Sequence, residues 1–224
     1  MIEYAVFDLD GTLLDTSEGI IGAAIYTMHQ YGLPAPEKSE YKKLIGPPIQ
    51  DTFQKLYGLS NEAAMDMANV FRDFYKTDQY LFMAEPYEGI YELFETLVKT
   101  GIKVGVATYK REDYAVRLLR EKGFDKYTRY MFGADFEGKL KKSDIIRSCL
   151  SQMGCTDYSK AVYIGDSKSD GIGANTVQIP FIAVTYGFGF ASAKDAGSYH
   201  PIAVAANPSC LGKWITGGVI HGVC

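Results

Sequence analysis

The chain has 224 residues, of which 47% are hydrophobic, and its formal net charge is −4 at pH 7. This length can bury a large core and suits one domain, or one domain that carries an insertion. The 23 lysines and arginines are scattered along the chain, which argues against a nucleic-acid surface built on phosphate contacts.

Several classes of protein are disfavoured by simple patterns. No apolar run is long enough to span a bilayer, and the start lacks the cationic stretch and long apolar run of a signal peptide. The four cysteines have no Cys-x-x-Cys spacing, and Cys149 lies on the apolar face of a predicted helix as a buried thiol. We therefore expect a cytoplasmic protein with no membrane or nucleic-acid partner, and we assign no catalytic role to any histidine.

The first predicted element is a strand from Ile2 to Leu9 that is apolar enough to be buried on both faces. It leads into Asp8 and Asp10, whose side chains can face one site because they are two positions apart. Gly11 then permits a turn. Two adjacent carboxylates repel each other, so the pair requires a cation, or a proton on one partner. We expect a metal ion here.

Helical patterns fill the chain from there to about Glu85. Asp15 is predicted to cap the first helix, with Glu18 three positions later, and Ser60 is predicted to cap a later one. Pro48 can open a helix between them. The domain prediction is therefore a helical domain of residues 16–85, inserted into a core formed by residues 1–15 and 86–224.

After Pro86 the predicted helices and strands alternate. The strands are expected at 103–108, 130–132, 161–165 and 180–184, and helices at 90–101, at 116–122, from about 143, and before about 175. This alternation predicts βαβ units, and so an α/β fold with a doubly wound, Rossmann-like parallel sheet. The glycine-rich tail, 214–224, is left unassigned.

Ligands of an open parallel sheet bind beyond the carboxyl ends of its strands, and polar groups follow four of these predicted ends. They are Asp8 and Asp10, then Thr108, then the lysines Lys139, Lys141 and Lys142, and finally Asp166 and Asp170. A carboxylate can accept a phosphoryl group, magnesium prefers oxygen ligands, and a hydroxyl with a lysine can hold phosphate oxygens. The set is typical of phosphoryl transfer.

In this order the motifs resemble those of the haloacid dehalogenase superfamily. Asp8-Leu9-Asp10-Gly11-Thr12 is similar to the first motif, Thr108 to the second, Lys142 to the third, and Gly165-Asp166 with Asp170 to the fourth. The resemblance implies that Asp8 is the nucleophile and Asp10 the general acid and base. It also implies a Mg²⁺ site formed by Asp8, Asp166 and the backbone carbonyl of Asp10, with Asp170 on the metal side.

Lys142 fits the third motif because Lys-Ser-Asp-Ile-Ile resembles the Lys-x-Glu-x-Ile of phosphoglycolate phosphatase-like members, although Lys139 and Lys141 remain candidates. The helical insertion and Gly46-Pro47-Pro48 resemble the type-one cap of that branch. In such an architecture the cap meets the leaving group, so Lys42, Lys43 and Gln50 are expected to influence substrate choice.

The expected function is that of a magnesium-dependent phosphatase. It would act, as a monomer or weak dimer, on a small phosphorylated metabolite such as phosphoglycolate, a nucleotide or a sugar phosphate, through an aspartyl phosphate. A phosphomutase of the β-phosphoglucomutase type shares the motifs and the cap, and Thr12 favours the phosphatase only weakly. A phospho-accepting signalling domain is a more remote alternative, because such a domain needs no insertion.

Overall fold

The structure is a computed structural model that describes residues 1–45, 48–137, 139–217 and 222–223. The chain divides into two compact units, one of Met1–Asp15 with Pro86–Cys224 and one of Thr16–Glu85. Gly46 and Pro47 of the predicted cap turn, and 218–221 and 224 of the unassigned tail, lie outside the described residues.

Strands and helices are numbered here in chain order. The strands are β1 (Tyr4–Phe7), β2 (Leu14–Asp15), β3 (Glu85–Pro86), β4 (Lys103–Arg111), β5 (Met131–Ala134), β6 (Ala161–Gly165), β7 (Phe181–Val184), β8 (Ala203–Ala205) and β9 (Gly222–Val223). The α-helices are α1 (Ser17–Gln30), α2 (Ile49–Tyr57), α3 (Asn61–Tyr75), α4 (Asp78–Leu81), α5 (Ile90–Lys99), α6 (Glu112–Glu121), α7 (Lys142–Gln152), α8 (Lys168–Val177), α9 (Ala193–Ala196) and α10 (Pro208–Gly217). Short 3-10 segments occupy Lys38–Leu44, Phe124–Lys126, Tyr158–Lys160 and Gly197–Tyr199.

A parallel sheet forms the centre of the larger unit. In the described part of the chain its strand order is β5-β4-β1-β6-β7-β8-β9. β1 lies between β4 and β6, with Phe7 level with Val106 on one side and with Ile164 on the other. The residues that follow these three strands therefore meet at one edge of the sheet, which confirms the predicted doubly wound α/β fold.

Helices cover both faces of this sheet because successive side chains of a strand point in opposite directions. Val6 joins a buried cluster with Ile146 and Cys149 of α7. Its neighbour Phe7 packs on the other side against Phe94 of α5, with ring centroids 5.0 Å apart. β1 is therefore buried on both faces, as its apolar sequence predicts.

The smaller unit, Thr16–Glu85, is helical in its described residues. Ser60 caps α3 as predicted, its hydroxyl accepting a hydrogen bond from the amide of Ala63 at 3.2 Å. Within this unit Tyr26 of α1 packs on Phe74 of α3, with ring centroids 3.9 Å apart. None of the helices in the described ranges combines the length and apolar character that a membrane crossing requires.

Several element boundaries differ from prediction. The N-cap of α1 is Thr16, and the prediction of Asp15 is wrong because Asp15 still belongs to the extended β2. β4 continues three residues beyond Thr108, and α6 starts at Glu112 rather than near Val116. β8 and α10 were not predicted, since three small apolar residues and a glycine-containing helix carry a weak periodic pattern.

Candidate active site

The first two carboxylates follow β1 directly. Asp8 is 6% exposed, and the side chain of Asp10 is 23% exposed. Gly11 then turns with a φ of +78°, a conformation that favours glycine. A Cβ at this position would lie 2.3 Å from Oδ2 of Asp166. The glycine therefore allows the turn after β1 to approach the carboxylate that follows β6.

Lys142 enters the site from the first position of α7. Its Nζ donates to Oδ1 of Asp8 at 2.5 Å and lies 2.8 Å from Oδ1 of Asp170. The lysine side chain is only 3% exposed. One buried ammonium thus neutralises part of the charge of two carboxylates from separate elements.

Asp170 is occupied by protein contacts on both of its oxygens. Oδ1 receives Lys142 and also the hydroxyl of Tyr163 at 3.1 Å. Oδ2 accepts hydrogen bonds from the amide and the hydroxyl of Ser167, at 3.0 and 2.6 Å, which form the capping box of α8. These contacts make Asp170 the anchor that orients Lys142.

Asp166 follows β6 and holds the loop after β7. Its Oδ2 accepts the amides of Phe188 at 2.7 Å and of Gly189 at 3.0 Å. A Cβ on Gly187 would lie 2.5 Å from the same oxygen. The loop can approach Asp166 this closely because Gly187 and Gly189 have no Cβ. The oxygen that the loop amides do not bind, Oδ1 of Asp166, is the one available to a ligand.

Burial and neighbouring charges shift the pKa values of Asp8, Asp166 and Lys142. Burial, the charge of Asp170 and the charge of Asp10 raise the pKa of Asp8 to about 7, although Lys142 opposes the shift. Burial and the charges of Asp170 and Asp8 raise the pKa of Asp166 to about 8. Burial lowers the pKa of Lys142, but the charges of Asp170 and Asp8 outweigh it, so this pKa is raised.

Among the described residues, ligand oxygens of Asp8, Asp166 and Asp170 lie within 4.8 Å of one another. An all-oxygen donor set suits Mg²⁺, which takes one or two carboxylates and keeps several waters. A cation would also relieve the repulsion that raises the pKa values of Asp8 and Asp166. The donor set therefore fits magnesium. Because Asp170 is occupied by protein donors, Asp8 and Asp166 are the better direct ligands.

Thr108 and Lys110 reach the site from β4. Thr108 is 1% exposed, and its hydroxyl oxygen accepts the amide of Lys110 at 3.2 Å. Lys110 Nζ donates to Oδ1 of Asp10 at 2.8 Å and to Oδ2 at 3.2 Å. Lys110 is a site residue that the sequence motifs do not mark, and its position two residues after Thr108 at a strand end is the indication that the sequence offers.

The other lysines considered for the phosphate site lie elsewhere. Lys139 is 78% exposed and pairs with Glu137, and Lys141 is exposed.

In the Thr16–Glu85 unit, Lys42 is exposed and Lys43 pairs with Glu40 on the surface. Gln50 accepts a hydrogen bond from Arg72 at 3.0 Å. A role of Lys42, Lys43 and Gln50 in substrate choice stays a prediction.

Comparisons with known proteins agree with this arrangement. A 5'-nucleotidase from Pseudomonas aeruginosa is 30% identical over 207 residues, which are 92% of each protein. The tyrosine-protein kinase PtkA from Mycobacterium tuberculosis is 30% identical over 91% of this chain and 69% of its own. A crystal structure described as "a predicted phosphatase from Clostridium acetobutylicum" superposes with a TM-score of 0.86 at 30% identity, covering 97% of this chain and 99% of the other.

The family model of haloacid dehalogenase-like hydrolases matches residues 5–184, a range that contains every carboxylate and lysine of the site described above. Both the predicted family and the prediction of a hydrolase are confirmed by this match and by the phosphatase names among the relatives. The chain belongs to the haloacid dehalogenase-like hydrolase family.

Proposed function

We propose that this hydrolase is a magnesium-dependent phosphatase that acts on a small phosphate monoester through an aspartyl phosphate. The observation that carries the proposal is the contact of Lys142 with Asp8, which places a buried carboxylate beside a buried ammonium. Such a pair supplies a nucleophile for phosphorus and a positive charge for the phosphate oxygens. Asp166 next to it supplies a second carboxylate for the metal.

The reaction proceeds in two displacements. An oxygen of Asp8 forms a bond to phosphorus while the bond from phosphorus to the leaving oxygen breaks, and the proton of Asp10 passes to that oxygen to give the alcohol. Water then forms a bond to phosphorus and gives its proton to the carboxylate of Asp10. The bond to Asp8 breaks, which releases phosphate and restores both side chains.

Thr108 and Lys142 hold the phosphate oxygens during both displacements in this proposal. The buried position of each group supports it, since a hydroxyl and an ammonium in a water-poor site bind charge strongly. Asp8, Asp166 and the backbone carbonyl of Asp10 would hold Mg²⁺, which supplies positive charge against the phosphate dianion.

The proposed substrate class includes several kinds of small phosphate monoester. The name of the Pseudomonas relative supports a nucleoside 5'-monophosphate, and phosphoglycolate and sugar phosphates share the same small, charged monoester group. A phosphomutase of the β-phosphoglucomutase type is the alternative. It would isomerise a sugar phosphate without net release of phosphate.

Phosphate release from nucleoside 5'-monophosphates, phosphoglycolate and sugar phosphates, with Mg²⁺ and with chelator, tests the proposal. Asp8→Asn should lower turnover by about a thousandfold or more, equivalent to about 4 kcal/mol, while its thermal unfolding stays cooperative. Turnover of the variant within about tenfold of wild type would exclude Asp8 as the nucleophile. Full activity in excess chelator would exclude the metal, and isomerisation without phosphate release would favour the mutase.

A further inference from the structure

A partly buried ion pair joins Asp10 to Lys110. Lys110 contacts both oxygens of Asp10, at 2.8 and 3.2 Å. The lysine side chain is 6% exposed and the aspartate side chain 23% exposed. Lys110 lies in β4, and Asp10 follows the neighbouring parallel strand β1. A charge-assisted contact to both oxygens restricts the rotation of the carboxylate.

An irregularity in β4 brings Lys110 to this position. Ala107 is level with Phe132 of β5, but Arg111 is level with Ala134, so four positions along β4 correspond to two along β5. The extra residues form a bulge that contains Thr108 and Lys110, whose amide is bound to the threonine hydroxyl. Bulges of this kind redirect side chains and occur frequently beside active sites.

β5 is adapted to this bulge. A Cβ on Gly133 would lie 2.5 Å from the carbonyl oxygen of Lys110 and 2.5 Å from Cα of Glu112. The amide of Gly133 also donates to the carboxylate of Glu112 at 3.1 Å. The backbone around Lys110 is therefore held from two sides, which fixes the origin of the lysine side chain relative to Asp10.

We infer that Lys110 is a positioning residue that holds the carboxyl group of Asp10 in the orientation that faces the leaving oxygen. This inference rests on the proposed function, in which Asp10 is the proton donor. Contacts to both oxygens keep the carboxyl group in one orientation, and a catalytic group that is held in its productive geometry lowers the barrier of the step in which it takes part. The contribution is expected only where the leaving group needs a proton.

The dependence on the leaving group supplies the test. An alkyl oxygen must be protonated as it leaves, whereas p-nitrophenolate leaves without a proton. Lys110→Met should therefore lower kcat/KM about a hundredfold for an alkyl phosphate, either phosphoglycolate or a nucleoside 5'-monophosphate, whichever wild type turns over faster. For p-nitrophenyl phosphate the change should stay within about threefold. Lys110→Arg should recover part of the loss.

Lys160→Met is the matched control, because it removes a lysine that also lies 2.8 Å from a carboxylate, that of Glu3, away from the site. This variant should keep the wild-type kcat/KM for both substrates. If Lys110→Met lowered kcat/KM equally for both substrates, Lys110 would be assigned to phosphate binding or folding, and the inference would be overturned. A loss of alkyl phosphate turnover in Asp10→Asn but not in Lys110→Met would overturn it while the proposed function stands.

Gly133→Ala provides a second variant if Lys110→Met fails to fold. It keeps the lysine but displaces the backbone of the bulge, and it should reproduce the selective loss of alkyl phosphate turnover. An unchanged ratio of the two substrates in a folded Gly133→Ala protein would overturn the inference. A wild-type protein that hydrolyses neither substrate would instead overturn the proposed function, and the inference with it.

Discussion

At the scale of single residues, the site depends on one buried lysine shared by two buried carboxylates. Lys142 contacts Asp8 and Asp170, and all three side chains are at most 8% exposed. Removing one member of a buried ion pair leaves the other charge buried without a partner. This lowers the free energy of unfolding even where the intact pair adds little stability. The lysine is therefore expected to matter for folding as well as for catalysis.

We predict that Lys142→Met destabilises the protein by about 3–5 kcal/mol, because it leaves Asp8 and Asp170 without their shared cation. Urea unfolding followed by circular dichroism measures this change. Phosphatase turnover should fall by at least about a hundredfold in conditions where the variant is folded.

Lys139→Met is the control, since Lys139 is exposed and pairs only at the surface with Glu137. It should change neither stability nor turnover appreciably. If Lys139→Met lost activity and Lys142→Met kept it, Lys142 would not be the lysine of this segment that binds the phosphate.

The same carboxylates predict how stability depends on pH without metal. Their pKa values in the folded protein, about 7 for Asp8 and about 8 for Asp166, lie above the ordinary value of 3.8. Between about pH 4 and pH 8 the folded state therefore binds more protons than the unfolded state. The stability that comes from this extra proton binding is complete below about pH 4 and is lost as the pH rises through 7 to 8.

Mg²⁺ bound at the proposed site would replace those protons, so it should stabilise the protein more at high pH. We predict that saturating Mg²⁺ raises Tm by at least about 3 °C more at pH 8 than at pH 5, measured by thermal unfolding against a chelator control. Asp166→Asn should remove most of this difference. A rise in Tm that is equal at both pH values would show that these carboxylates do not bind the ion.

At the scale of elements, the loop after β7 surrounds Asp166, which we propose as a ligand of the metal. Residues 186–189 wrap around Asp166, and a Cβ on Gly187 would lie 2.1 Å from the carbonyl oxygen of Gly11 and 2.5 Å from Asp166. A substitution there must push apart two segments that both belong to the site. The position of Asp166 thus depends on a loop that follows it by about twenty residues.

We predict that Gly187→Ala weakens the apparent affinity for Mg²⁺ by about tenfold or more, because groups that orient metal ligands have effects of this size. The Mg²⁺ dependence of turnover and of Tm measures it. Gly197→Ala is the control, as a Cβ there meets no atom within 4 Å. A normal affinity for Mg²⁺ in Gly187→Ala would show that the loop does not support the site.

At the scale of the whole molecule, chemistry and selectivity are proposed to belong to different units. The residues of the candidate site lie in Met1–Asp15 and Pro86–Cys224, and Thr16–Glu85 contributes a separate helical unit. We expect that unit to act as the cap that meets the leaving group, since the inserted helices resemble caps of this family.

Replacing both Lys42 and Lys43 by Ala should then change the ranking of substrates by kcat/KM, by about tenfold for at least one pair of substrates. Inhibition by vanadate, a phosphate mimic that tests the core alone, should stay nearly unchanged. Lys43 pairs at the surface with Glu40, so its loss should cost little stability. An unchanged ranking would exclude these two lysines from substrate choice.

The sequence alone determined the family, the alternating architecture and the core motif positions, because each of these is a local property. The apolar run before Asp8 predicts a buried strand wherever it is placed, and Asp8, Thr108, Lys142 and Asp166 follow predicted elements at recognisable offsets. Lys142 could be preferred over Lys139 from its motif, and its burial beside Asp8 agrees with that preference.

Which of these residues contact one another is visible only in the folded structure. The two oxygens of Asp170 are occupied by Ser167, Tyr163 and Lys142, so Asp170 also anchors the lysine. Its place on the metal side stays a prediction. Lys110 reaches Asp10 because a bulge in β4 redirects it, and no periodicity marks a bulge. Contacts between residues about 100 positions apart depend on strand register, and register is a property of the folded sheet that a pattern along the chain does not contain.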